Sequence, residues 1–594
     1  MSDDIDPVTL EVLRNQLEGV AEEMGQVLIR GAYSPNIKER QDCSTALFDA
    51  DGRMVAQAEH IPVHLGAMPE AVAAVRERDP VPGDVFVLND PFTGGTHLPD
   101  VTLVSPIALD SGGDGEGDRG GDDDDGSDGG ANSDGEGGSD DGAEIVGYAV
   151  SRAHHADVGG MTPGSMPAGA REIHQEGLRL PPIRLVKAGE RDEALFELLL
   201  ANVRSPDERR ADLRAQIAAN ERAESRLREL VADHGRGRIE AAFDAVIDYS
   251  YDRIVEEIRA LPDGTYEAAD VLEGDGVTDD DIPISVAVTV DGEAIDVDFA
   301  GTAEQVAGNL NAPLAVAKSA VYFVVRCVTD PEIPPNHGCY EPIRIDAPEG
   351  SLLNPAPPAA VVGGNVETSQ RVTDVVLAAF ANAAPDRVPA ASQGTMNNLT
   401  IGGRGRSGDG TDPADGSFTY YETIGGGFGG RAEKDGMDGV QVGMTNTLNT
   451  PVESLETEYP LRVERYALRP DSGGDGRHRG GLGIERAVRV EADATVSLLT
   501  ERRRHAPEGV GGGEPGATGE NLIDGEPVGA KTTVDVPAGT TVTVRTPGGG
   551  GHGDPGDRDS EAIAHDRADG KVTERTGETG SYADDAGHRE VTDE

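Results

Sequence analysis

Residues 101–150 read VTLVSPIALDSGGDGEGDRGGDDDDGSDGGANSDGEGGSDDGAEIVGYAV, two short apolar runs separated by a tract that cannot build a core. VTLVSPI (101–107) and EIVGYAV (144–150) are rich in β-branched and apolar residues and predict strands. Residues 110–143 between them are almost wholly Gly, Asp, Glu and Ser. Such a composition buries too little apolar surface to offset its ordering entropy, so a disordered surface loop joining two strands is expected. Its acids lack the EF-hand spacing and the closing Glu that a calcium loop requires.

Directly outside the strand pair lie NDPFTGGTHLPD (89–100) and SRAHHADVGG (151–160). They set Asp90, His97, Asp100, His154, His155 and Asp157 at strand ends beside Gly/Pro turns, where side chains converge on a cleft. Imidazoles together with carboxylates suit Zn, Mn or Fe, and a His-x-x-Asp pair can aim both groups at one ion. One His capping a turn, or one Asp opening it, would need no metal. Six such residues in two motifs around one strand pair favour the metal. AEHIPVHLGAM (58–68) adds Glu59, His60 and His64, but Pro62 interrupts any HxxxH helix and no Glu occupies the protease position. Glu59 or His64 is a candidate to complete the first site, and His60 a core polar contact.

Two further clusters follow. Lys38, Glu39, Arg40 and Asp42 in SPNIKERQD (34–42) are packed charges ahead of an apolar strand, which physical chemistry alone reads as a surface ion-pair group. GGNVETSQR (363–371) carries Asn365, Glu367, Ser369 and Arg371 and reads as a binding loop. Cys339, two residues from His337, invites a nucleophile reading, although most cysteines are inert and that spacing says little about approach. The Gly-rich stretches contain no GxxxxGK[ST], and no GxGxxG follows a strand, so a nucleotide would bind elsewhere.

The rest of the chain is mixed. Asp6 and Pro7 open a helix whose stripe is Leu10, Leu13, Leu17, Val20, Met24 and Val27. Residues 190–260 are helical and charged. ISVAVTVDGEAIDVDF (284–299) predicts a hairpin about Asp291-Gly292, TDVVLAAFANAA (373–384) a helix, and TTVTVRT (540–546) a strand. The fold class is α+β, multidomain and mixed, with Gly-rich loops. Its expected regions are 1–190 with the metal site, a charged helical 191–265, an α+β 266–560 and a polar tail 561–594.

The chain's 594 residues carry 109 acidic against 51 basic side chains, a formal charge of −58. That balance excludes phosphate-reading nucleic-acid binders and anionic membrane surfaces. Three cysteines without a CxxC exclude a disulfide framework, and the acidic N-terminus is no signal peptide, so a cytoplasmic protein is expected. The acids spread along the whole chain, which points to a salt-rich cytoplasm where self-repulsion is screened. Unfolding stability is expected to rise with KCl, and a maximum at low salt would contradict the halophilic reading.

The strings SPNIKERQDCSTALFD, HIPVHLGAM, NDPFTGGTHLPD, HHADVGG, FAGTAEQVAGNLNAP, GGNVETSQRV, ASQGTMNN, MTNTLNTPVESLE and SGGDGRHRGGLG, in one order along the chain, resemble the hydantoinase B/oxoprolinase family. The resemblance implies a partner A subunit of actin/acetate-kinase type that binds ATP. It also implies ATP-dependent hydrolytic ring opening of a small cyclic amide, a hydantoin or 5-oxoproline. The related acetone-carboxylase large subunits and a non-catalytic scaffold are the alternatives. It implies a divalent metal (Mn, Zn or Fe) on Asp90, His154 and Asp157 first, then His97 and Asp100, with His155 and Glu367 as the catalytic candidates.

Overall fold

The structure, a computed structural model, describes residues 5–110, 143–404 and 417–573. Helix α1 (Pro7–Gly31) opens as the sequence predicts: Asp6 accepts hydrogen bonds from the Val8 and Thr9 amides, and Pro7 occupies the first turn. Leu13, Leu17, Val20, Met24 and Leu28 form its buried stripe. Leu28 takes the place expected of Val27, which stays half-buried.

A seven-stranded sheet carries the site. Its strands are β1 (Cys43–Asp49), β2 (Met54–Glu59), β3 (Val85–Leu88), β4 (Asp100–Asp110), β5 (Ala143–His154), β6 (Ile183–Lys187) and β7 (Glu190–Arg191). They lie in the order β2-β1-β5-β4-β3-β6-β7. The two strands legible in residues 101–150 are β4 and β5, paired antiparallel near its centre. Asp110 faces Ala143 at one end of the pair and Asp100 faces His154 at the other. The acidic tract, expected as a disordered loop, lies outside the described residues. Because Asp110 and Ala143 already stand side by side, a short turn can join them. Deleting 112–141 should therefore leave folding and bound metal unchanged, since closing a longer loop costs only about 0.6 kcal/mol per doubling of length. Aggregation of that variant in high KCl, or loss of metal, would show the tract to be structural.

Both faces of this sheet are covered. Cys43, Leu47, Ala149 and Ala153 pack on one side against α1 and helices α2 (Pro206–His234) and α3 (Arg236–Arg259). Ala46, Phe48, Tyr148 and Val150 pack on the other into a larger core. A strand buried on both faces has no reason to alternate, which is why CSTALFD does not. The larger core includes a second sheet of β8 (Gly264–Glu273), β9 (Asp281–Asp291), β10 (Ala294–Asp298) and β11 (Ile343–Asp346). The β9–β10 hairpin turns at Gly292, whose φ of 60° suits glycine. Helices α4 (Leu314–Val328) and α5 (Ser369–Ala383) complete this layer. No helix among the described residues is long and apolar enough to cross a membrane.

Two more sheets fill the last third. One runs Ser417–Glu422, Asn398–Arg404, Ala494–Leu499, Lys531–Val536, and the other has five strands and includes Thr541–Arg545. Beside them, glycine segments from 425–430, 473–483, 509–516 and 547–552 run as threads bonded main chain to main chain. The Gly430 amide donates to Gly550 O at 2.8 Å, Gly474 to Gly549 O at 2.8 Å, Gly481 to Phe428 O at 2.7 Å and Gly549 to Gly481 O at 2.9 Å. The threads touch where side chains would stand: a Cβ on Gly427 would lie 2.1 Å from both Gly481 O and the Gly549 nitrogen.

Candidate metal centre

The antiparallel register brings Asp100 of β4 opposite His154, the last residue of β5. His97 arrives from the preceding loop, which Asn89 pins by donating to Leu98 O (2.8 Å) and Leu178 O (3.0 Å). The Asp100 amide donates to His97 O, closing the turn that folds the two side chains together. The result is a three-way convergence. His97 Nε2 lies 3.0 Å from Asp100 Oδ1, His154 Nδ1 lies 3.3 Å from the same oxygen, and the two nitrogens are 3.1 Å apart. Atoms bonded at about 2.0–2.1 Å to one ion stand roughly 2.9–3.4 Å apart, so these spacings match a shared ligand set. It is the group of that kind among the described residues.

All three residues are buried. Burial pushes the Asp100 carboxyl up, but the His97 imidazole, then His154 and His64 beside it, outweigh that and hold the group well below the usual range. The other carboxylate oxygen accepts from Thr96 Oγ at 2.7 Å. His64 bonds Ser44 through Nδ1 (2.9 Å) and leaves Nε2 buried without a hydrogen-bond partner, 3.6 Å from Asp100 Oδ2. His97 Nδ1 and His154 Nε2 are likewise unpartnered. A carboxylate ringed by three imidazoles, with the unpartnered His64 Nε2 turned toward it, fits a divalent cation.

Asp90 and Asp157, ranked first as ligands on the resemblance, do not join this group. Asp90 orders its own turn, accepting from the Phe92 amide (3.1 Å) and Thr93 Oγ (3.0 Å), and meets Arg179 at 3.3 Å. Asp157 accepts from the Gly159 and Gly164 amides and from the amide and guanidinium of Arg204, all at 2.8–3.0 Å. Both do what Asp does in Asn-Asp-Pro and Asp-x-Gly turns. His155 points away from Asp100: its Nε2 meets Gln216 Oε1 of α2 at 3.0 Å, and burial pushes the imidazole down to about 4. The Glu59 side chain lies outside what the structure describes.

The 363–371 segment, expected as a binding loop, is instead helical, a π turn running into α5, and it reaches the site. Asn365 Nδ2 lies 3.4 Å from both His97 Nε2 and Asp100 Oδ2. Glu367, in the same π-helical turn (Gly364–Thr368), is buried; burial, then the nearby Glu501, pushes it up to about 8. It accepts from Asn398 Nδ2 (2.8 Å), and Asn398 Oδ1 accepts from Tyr421 OH (2.9 Å). The Tyr421 ring stacks on His154 with centroids 4.7 Å apart. Nothing in the string FTYYET marked Tyr421 as a site residue. Cys339 is buried and its thiol is pushed up to about 11 by that burial, which removes the nucleophile reading.

The surface ion-pair reading of 38–42 also fails. Arg40 and Asp42 are buried, turned inward at Gln41, whose φ is 55°. Arg40 donates to Tyr421 O and to the hydroxyls of Thr423 and Thr447, about 380–410 positions away in sequence.

Comparison with known proteins identifies the family and the fold. Residues 6–555 match the family described as Hydantoinase B/oxoprolinase. 5-oxoprolinase 1 of Arabidopsis thaliana is 39% identical over 92% of this chain, which spans only 42% of that longer protein. A Pseudomonas protein assigned as the B component of a D-/L-hydantoinase is 32% identical, over 96% of this chain and 93% of its own length. The crystal structure of an ATP-dependent caprolactamase from Pseudomonas jessenii superposes with a TM-score of 0.83 at 27% identity, covering 96% of this chain and 95% of that one. A nucleotide-free acetone carboxylase (TM-score 0.81, 19% identity, 96% and 78% covered) shares the fold.

Proposed function

This chain belongs to the hydantoinase B/oxoprolinase family, and from that premise we propose that it is the B-type component of an ATP-dependent cyclic-amide hydrolase. In this reading an A-type component of actin/acetate-kinase class holds the nucleotide, and this chain holds the hydrolytic centre. The observation that carries it is the convergence of His97 Nε2, His154 Nδ1 and Asp100 Oδ1 on one point. The names of the hydantoinase, oxoprolinase and caprolactamase relatives supply the substrate class, a ring or lactam amide.

His97, Asp100 and His154 would hold a divalent metal, Mn, Zn or Fe, with His64 within reach. Bound there, such an ion supplies Lewis acidity toward a carbonyl and a water that ionises near neutral pH. The chain's own groups do the rest. Thr96 fixes the Asp100 carboxylate, and Tyr421 fixes the plane of His154. Glu367, protonated up to about pH 8, can hold or release a proton at the end of the Tyr421–Asn398 chain. His155, locked on Gln216, positions the strand end next to His154 and exchanges no proton near neutrality.

The division of labour is tested with the purified single chain and hydantoin or 5-oxoproline. It should neither hydrolyse ATP nor open the ring until an A-type chain is added. Robust ATPase activity from this chain alone overturns the proposal.

A further inference from the structure

The cavity at the metal-type cluster has a second wall that the ligand set does not explain. His64, His97, Asp100 and His154 line one part, and Tyr421, Thr423 and Thr445 line another. Behind this second wall stands Arg40, only 1% exposed, with no carboxylate paired to it among the described residues. Asp42, which also lines the cavity, accepts instead from Asn36 Nδ2 at 3.3 Å. Burying a guanidinium without a counter-charge is costly, and here the structure keeps one beside an open cavity.

The hydroxyls in front of Arg40 form a chain whose direction can be counted. Arg40 donates to both Thr423 and Thr447. Gln441 Nε2 adds a donor to Thr423 at 3.3 Å. Thr423 and Thr447 oxygens are 2.8 Å apart, and Thr447 and Thr445 are 3.5 Å apart. With their lone pairs taken by cationic and amide donors, the hydroxyl protons run from Thr423 to Thr447 to Thr445. The last proton, on cavity-lining Thr445, is left to donate outward.

We propose that this wall, where the Thr445 hydroxyl ends a chain polarised by Arg40 through Thr423 and Thr447, is an oxyanion subsite for a phosphate group held beside the metal. Two of the three Arg40 nitrogens are already engaged in the protein. The residue therefore presents no free two-pronged fork to the cavity, and its charge acts through the hydroxyl chain, where a phosphate dianion gains more from a buried cation than a monoanionic carboxylate does. Arg40 is a positioning residue, acting through the threonines. The inference rests on the ATP-dependent reading above, in which an activated carbonyl carries a phosphoryl group or releases phosphate.

The test is calorimetric titration of the full chain with inorganic phosphate, with acetylphosphonate as an unhydrolysable acyl-phosphate mimic, and with acetate. Manganese loading is measured separately by electron paramagnetic resonance. Wild type should bind both phosphorus probes and ignore acetate. Arg40→Met and Thr445→Val should load manganese normally and lose phosphate affinity tenfold or more, with Arg40→Lys intermediate. Tighter binding of acetylphosphonate than phosphate assigns the subsite to the activated substrate, and equal binding to the released product; both support it. Normal manganese loading with unchanged phosphate affinity in the variants overturns the subsite and spares the metal reading. Lost phosphate affinity in a chain that never loads manganese supports the subsite and overturns the metal reading. No phosphate binding by wild type, or acetate binding as tightly, overturns the subsite.

Discussion

Asp100→Ala and His154→Ala each strip the protein of most of its bound divalent metal while the chain stays folded. Asp100 Oδ1 is the atom on which both imidazole nitrogens converge, at 3.0 and 3.3 Å, so its removal leaves two neutral ligands and no charge to hold the ion. The loss should exceed the roughly 10–100-fold that removal of an outer-sphere partner costs. Thr96→Val and Tyr421→Leu, which remove groups that orient ligands without being ligands, should fall within that smaller range. Asp157→Ala should keep full occupancy and show its effect in stability, because it frees two loop amides and Arg204. Elemental analysis per chain after purification in high KCl, with thermal unfolding alongside, reads both effects. Full metal occupancy in Asp100→Ala and His154→Ala would refute the site, and stripping by Asp157→Ala alone would restore the ranking drawn from the resemblance.

Gly427→Ala should cripple folding. The added methyl would sit 2.1 Å from Gly481 O and from the Gly549 nitrogen, and 2.6 Å from Gly548 carbonyl carbon, all main chain. Overpacking usually costs about 1–3 kcal/mol because side chains give way. Here three backbones would have to separate, so the cost is expected at or above about 3 kcal/mol, a large share of ordinary stability. Gly19→Ala makes the contrast: it lies within α1 with nothing within 4 Å of the new methyl, and should stabilise by up to about 1 kcal/mol. Thermal midpoints and soluble yield of the two variants decide it. A Gly427→Ala protein as stable as wild type would mean that the threads are loosely packed.

What could be read from the sequence was what local physics controls. The α1 cap and stripe, the hairpin at Gly292 and the strands around the acidic tract follow from spacing and turn chemistry over a few residues. The site was half legible for the same reason. His-x-x-Asp and the His154 strand end advertise ligands, whereas an Asp that orders a turn and an Asp that binds an ion look identical in a string. Asp90 and Asp157 were of the first kind. Arg40 misled because its environment comes from Thr423 and Thr447, far along the chain, and a run of charges gives no hint of a partner that distant. Tyr421 and the glycine threads carry no periodic signal at all.

The threads also bear on how the protein looks in solution. Their amides are bonded to carbonyls of neighbouring threads, yet they repeat neither the helical nor the ladder pattern. Far-ultraviolet dichroism would therefore count these residues as coil, while amide deuterium exchange would find them as slow as a central strand. Order here is a matter of backbone contact, invisible to the spectroscopy that most often measures it.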